Sequence, residues 1–105
     1  MPDATDAQAM HGEYKMPGGK LVVVDLALRG GRLADVRLSG DFFLEPDAAL
    51  SAIDAALEGQ PVDIGDAMLV AAIDAGLPAG TTMYGISSEA IVVALRRALQ
   101  EGTPA

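Results

Sequence analysis

The sequence predicts an α+β domain: an antiparallel sheet of three to four strands, followed by about three helices packed on one of its faces. Three observations predict it. Period-two alternation of apolar residues is confined to the first half of the chain. Helical spacing of apolar residues is confined to the second half, and Gly-rich turns short enough for hairpins separate the strands. Strands first and helices after is the order of an α+β fold rather than of βαβ units.

The elements follow in order. Residues 1–12 are expected to form a flexible N-terminal arm, and 13–102 a single domain. Residues 1–10 show no period and carry two acids, and His11 to Met16 can form a short strand entering the turn Lys15-Met16-Pro17-Gly18-Gly19-Lys20. Proline presets φ for the first central position of a type II turn and glycine accepts the positive φ of the second. Residues 21–28 are β-branched-rich, with Val22, Val24, Leu26 and Leu28 on one face and Leu21, Val23, Asp25 and Ala27 on the other. Arg29-Gly30-Gly31-Arg32 reverses the chain into a strand over 33–39, where Ala34, Val36 and Leu38 alternate with Leu33, Asp35 and Arg37. Two registers are open. A three-residue loop with Gly31 left-handed suits the turn, whereas a loop one residue later sets Asp25 opposite Arg37. Asp41-Phe42-Phe43-Leu44 resumes as a short strand after Gly40.

Glu45-Pro46-Asp47 switches the chain to helix, with proline at the first helical position. Leu50, Ile53 and Leu57 form its apolar stripe, ended by Gly59. A second helix capped by Asp63 runs to Ala75, with Met68, Leu69, Ala72 and Ile73 inward. Residues 77–86 form a loop with room for a few extended residues. Ser87 or Ser88 caps a third helix, in which Ile91, Val92, Leu95, Ala98 and Leu99 face inward and which Gly102 closes.

Composition bounds the function. The chain has 105 residues, no cysteine and a net charge of −8. One domain of this size buries about 60–65% of its unfolded surface without staples. Without cysteine there are no disulfides, thiolate metal sites or cysteine nucleophiles. No run of about 18 apolar residues is present, and no basic segment leads into an apolar one at the start, so a cytoplasmic location is expected. The acidity argues against nucleic acid and anionic membranes as partners. Its distribution is uneven: residues 1–40 hold five bases against five acids, and 41–105 hold only Arg96 and Arg97 against ten acids. Anion binding therefore belongs to the first half, or to helix N-termini.

No catalytic or metal constellation can be assembled. His11 is the single histidine, so neither a Ser-His-Asp triad nor a metal site is available. Gly-Gly-Lys lacks the full phosphate-loop spacing, and Lys20 opens a strand rather than a helix. Asp41 and Glu45 read as surface carboxylates. The remaining candidate is the turn, where Lys15, Pro17, Gly18, Gly19 and Lys20 offer two cations and approachable backbone N–H groups, against the plain reading of a solvated hairpin. Phe42 and Phe43 point to opposite faces of a strand, so one is left outside. Beside outward Leu21, Val23, Ala27 and Leu33 it suggests a protein contact, or a face covered by an arm or loop.

The stretches Lys15-Met16-Pro17-Gly18-Gly19-Lys20-Leu21-Val22 and Leu38-Ser39-Gly40-Asp41-Phe42-Phe43-Leu44 carry a resemblance, together with Glu45-Pro46 and Ala56-Leu57-Glu58-Gly59. They resemble the C-terminal accessory domain of lipoate–protein ligases, in particular the form in which that domain is a separate small subunit. Tyr84-Gly85-Ile86-Ser87-Ser88-Glu89 is similar to the family's final segment, with Ser-Ser-Glu where Thr-Pro-Glu is usual. The likeness spans about Tyr14 to Leu99.

The resemblance implies a heterodimeric ligase whose separate catalytic chain carries ATP, Mg²⁺ and lipoate. This chain would support formation of lipoyl-AMP before transfer to a lysine of an acceptor protein, binding no cofactor and holding no complete active site alone. Lys15, Pro17, Gly18, Gly19, Lys20, Gly40, Asp41, Phe42 and Phe43 would face ligand or partner. The accessory domain is also similar in fold to iron–sulfur scaffold and sulfur-acceptor proteins, but those activities need cysteine. An orphan regulatory or protein-interaction domain is the alternative.

Overall fold

The main strands precede the helices, as the pattern predicts, and one short strand, Thr82–Tyr84, falls between the second helix and the third. The computed structural model describes residues 8–18 and 20–101, in the order β1 (Gln8–Lys15), β2 (Leu21–Arg29), β3 (Arg32–Gly40), β4 (Phe43–Glu45), α1 (Ala48–Leu57), α2 (Asp66–Gly76), β5 (Thr82–Tyr84) and α3 (Ser88–Glu101). β1, β2 and β3 form an antiparallel three-stranded sheet in that order, and β4 pairs with β5 in a separate two-stranded one. Helix α3 packs on β1 and β2, α1 packs on β3, and α2 packs on both helices. The core between the layers is aliphatic, with Val22, Val24, Leu33, Ile53, Leu57, Leu69, Ile73, Ile91 and Leu95 all fully buried. Among the described residues no helix covers the sheet's other face, where the His11 and Asp25 side chains are about half exposed.

The arm expected over residues 1–12 is shorter than that. Residues 1–7 lie outside the described residues, but Gln8 to Gly12 belong to β1 and pair with β2, Gly12 opposite Val24. Gly12 is on the core face, where α3 crosses it so closely that a Cβ would lie 2.2 Å from the Ala94 carbonyl oxygen and from the Ala98 nitrogen. Glycine here, with Ala94 and Ala98 opposite it on the helix, lets α3 approach the sheet backbone.

The β2–β3 hairpin takes neither expected loop. Arg29 pairs with Arg32 across Gly30-Gly31, whose φ of 59° and 78° give a two-residue turn. A bulge then shifts the register between Asp25 and Ala27, and Asp25 still ends opposite Arg37. The extra residue lies on β3, where Asp35 takes φ 51°. The bulge changes the parity of β3, so Leu33, expected on the outer face, is buried in the core along with Val36 and Leu38.

The free edge of β3 is closed by α1 and the segment after it. Glu58 accepts hydrogen bonds from the Asp35 and Val36 N–H groups at 3.0 and 3.1 Å, and Asp54 accepts one from Leu38 N–H at 3.0 Å. Further along, Leu33 N–H donates to Gln60 O and Leu33 O accepts from Gly59 N–H, while Val62 N–H donates to Gly31 O. An edge whose groups are satisfied in this way cannot template another strand.

The helix ends differ from expectation in local ways. Asp47 occupies the N-cap position of α1 without a side-chain cap hydrogen bond, and Pro46 lies before it, its carbonyl accepting from Ala49 N–H at 2.9 Å. The core line of α1 is Ala49, Ile53 and Leu57, four residues apart, which turns Leu50 out to solvent. Likewise Leu69 and Ile73 carry α2 and Met68 is exposed. Gly65, not Asp63, precedes α2. Ser87 caps α3 by accepting from Ala90 N–H at 3.1 Å; Gly102 lies outside the described residues. No described helix is long and apolar enough to cross a membrane.

Candidate functional site

The three stretches that stand out in the sequence meet at one end of the molecule. The turn after β1 carries Lys15 and Lys20, with Met16 N–H donating to Lys20 O at 3.2 Å and Gly18 at φ 65°. Gly19 lies outside the described residues. Leu21, the next residue, offers its carbonyl to Asp41 N–H at 3.0 Å. Gly40 stands against that same carbonyl: a Cβ there would lie 2.1 Å from the oxygen, and φ is 143°. A side chain at 40 would push β3 off the end of β2. Lys20 also lies over Gly85, where a Cβ at φ 74° would come within 2.3 Å of Lys20 Cγ. The lysine turn is thus packed against the segment 84–86 and held beside 40–41.

β4 and β5 join the same end. Phe43 pairs with Tyr84, Leu44 with Met83 and Glu45 with Thr82. Leu44 points into the core, so Phe43 and Glu45 share the outer side. The Phe43 and Tyr84 rings are tilted 40° with centroids 6.0 Å apart, and each residue is 56% exposed. Phe42 packs partly into the core instead. Phe43 therefore stands outward, but on the small sheet with Tyr84 rather than beside Leu33, which the bulge buries. Below it opens a cleft of about 410 Å³, lined by Leu38, Ser39, Gly40, Phe42, Phe43, Leu44, Asp47 and Leu50.

The charges sort themselves. Arg96 is fixed to Asp66 Oδ1 at 2.6 Å, to Val62 O at 3.2 Å and to Ile64 O. Arg97 donates to Glu13 O and sits 5.0 Å over the Tyr14 ring. Arg29 pairs with Asp35 and Arg32 bonds Gly59 O, both at 2.9 Å. Lys15 and Lys20, both exposed, make no ion pair or side-chain hydrogen bond among the described residues. Most of the arginines fasten the fold, and the turn's lysines do not. Asp41, Glu45 and Asp47 are likewise exposed and without an ion-pair partner among the described residues.

His11 lies elsewhere, on the open face of the three-stranded sheet. Nδ1 is 2.6 Å from Asp25 Oδ1 and Nε2 is 2.7 Å from Glu13 Oε2. Carboxylates only accept, so both contacts are hydrogen bonds together only when both ring nitrogens are protonated, and the pair favours the imidazolium. The bond to Glu13, then that to Asp25, raises its pKa above 6.5. A histidine fixed in this way braces β1 against β2.

Sequence reading missed Leu50, Asp47 and Gly85 as members of this end. Leu50 fell within a helical stripe by spacing, and only the choice of Ala49 as the core position turns it into the cleft. The Gly85 signal was present in Tyr84-Gly85-Ile86 but not its contact with Lys20.

No family model and no curated protein matches the chain. Among solved structures it is similar to a chain from the archaeal lipoylation system of Thermoplasma acidophilum, described as a bi-partite lipoate protein ligase and its E2 lipoyl domain. Identity is 26% and the TM-score 0.63, over 86% of this chain and 94% of that one. The chain thus resembles the stand-alone accessory subunit of a two-chain lipoate–protein ligase in fold as well as in sequence.

Proposed function

We propose that the chain is the accessory subunit of a bipartite lipoate–protein ligase. It supports ATP-dependent activation of lipoate to lipoyl-AMP by a separate catalytic chain, which then transfers the lipoyl group to a lysine of an acceptor protein. The observation that carries the reading is the match to a chain of the archaeal bi-partite ligase system over nearly the whole of both chains. The convergence of the lysine turn with 40–43 and 84–86 supports it, since three of the segments that carry the sequence resemblance meet at one end.

Adenylate formation spreads negative charge over the α-phosphate and the departing pyrophosphate. Cations brought up by a second protein stabilise that charge where water is excluded. Lys15 and Lys20, unpaired among the described residues, suit that task, and the exposed turn brings backbone N–H groups with them. On this reading Mg²⁺, like ATP and lipoate, is carried by the catalytic chain.

The test is pyrophosphate exchange by the reconstituted pair. Lys20→Gln keeps the stem that lies over Gly85 and removes the charge, and it should slow exchange about tenfold or more while leaving complex formation unchanged. Lys20→Ala should slow it as well. Unchanged exchange with an intact complex would sink the role of the turn, and no exchange by the wild-type pair would sink the subunit reading.

A further inference from the structure

The cleft under Phe43 has apolar walls and an acidic rim. Phe43, 56% exposed, and Leu50, at 36%, both line it, and Tyr84, as exposed as Phe43, lies beside the Phe43 ring with centroids 6.0 Å apart. An exposed aromatic pair over a preformed apolar cleft is the anatomy of a docking surface rather than of solvated surface. Asp47 is in the lining, Glu45 shares the outer side of β4 with Phe43, and Asp41 precedes the strand; none has an ion-pair partner among the described residues. Lys20, lying over Gly85, bounds the surface on the Tyr84 side.

We propose that this cleft receives a bulky apolar side chain flanked by lysine or arginine on a separate protein chain. On the reading above, on which this rests, that protein is the catalytic ligase chain. Charge selects the occupant. A second copy of this chain would bring its own −8 to an acidic rim. Residues 1–7 carry two acids and no lysine or arginine, and 102–105 have no bulky apolar side chain. A basic partner segment instead meets three unpaired carboxylates, and its apolar residue fills the space between Phe43 and Leu50. Seating it there also delivers the adjoining lysine turn to the partner's surface, so docking and charge delivery use neighbouring residues.

The experiment titrates the isotope-labelled full chain with three synthetic peptides: phenylalanine between lysines, alanine between lysines, and phenylalanine between glutamates. The first should shift the amide signals of Phe43, Tyr84 and Leu50, weakening as salt rises, and the other two should not. Glu45→Lys with Asp47→Lys should reverse the preference between the lysine and glutamate peptides. Phe43→Ala, on an exposed position that leaves the core intact, should weaken binding of the catalytic chain about tenfold or more. If the wild-type pair assembles and exchanges pyrophosphate while Phe43→Ala binds equally well, the docking site is overturned and the subunit reading stands. If the catalytic chain does not bind but the lysine-flanked peptide seats in the cleft, the docking chemistry stands and the subunit reading falls. Equal binding of all three peptides, or a dimer of this chain that Phe43→Ala abolishes, overturns the proposal.

Discussion

Gly12 shows how much a single position can fix. Its Cβ would lie 2.2 Å from two backbone atoms of α3. Neither the strand nor the helix can yield by a rotamer change, because both clashing partners are main chain. Gly12→Ala should therefore cost about 3 kcal/mol or more, at the upper end of overpacking effects, read as a fall in the denaturation midpoint. His11, one residue away, acts on a smaller scale. Its folded pKa is raised above 6.5 by Glu13 and Asp25. The folded state thus binds the proton more tightly than the unfolded one, and the stabilisation is complete below 6.5 and lost as pH rises through the folded value. The ring is about half exposed, so the contribution is less than about 1 kcal/mol. His11→Gln should flatten that part of the stability–pH curve, and a curve of unchanged slope would refute the imidazolium assignment.

At the scale of elements, the edge of β3 is the instructive case. One carboxylate, that of Glu58, accepts from two successive N–H groups, at Asp35 and Val36, which the bulge presents together. Glu58→Ala leaves both unpaired at a sheet edge and should cost about 1–3 kcal/mol, with faster aggregation on heating as the strand becomes available for pairing. Asp54 answers differently. Burial raises its pKa, against the Leu38 hydrogen bond that lowers it. Asp54→Asn, which keeps an acceptor for Leu38 N–H without the buried charge, should be close to neutral in the same melt. The strands and helices themselves were legible from period two and helical spacing, and the turn glycines from their type. The bulge was not, because Leu33-Ala34-Asp35-Val36 is compatible with plain alternation. One extra residue on β3 settles the register and buries Leu33. Nor was the exposure of Leu50 and Met68 legible, since each lies next to the apolar residue that is buried instead.

In the whole molecule, three stretches far apart in sequence come together at one end. Each was visible as a motif in the sequence, but their junction was not, since no periodicity places Lys20 on Gly85 or Gly40 on Leu21. Gly85→Ala tests that junction directly. A Cβ there pays for the left-handed conformation, about 1–2 kcal/mol, and also displaces the Lys20 stem, whose Cγ would be 2.3 Å away. Gly80→Ala is the matched control: φ is 78° and nothing lies within 4 Å of the added Cβ. Both variants should lose a similar amount of stability, because a flexible lysine stem can swing aside at little cost. Only Gly85→Ala should displace the Lys20 stem from the 84–86 segment and slow pyrophosphate exchange by the reconstituted pair. Equal exchange rates for the two variants would mean that the lysine turn works independently of the segment it packs on, and that the shared end is a consequence of folding rather than a functional unit.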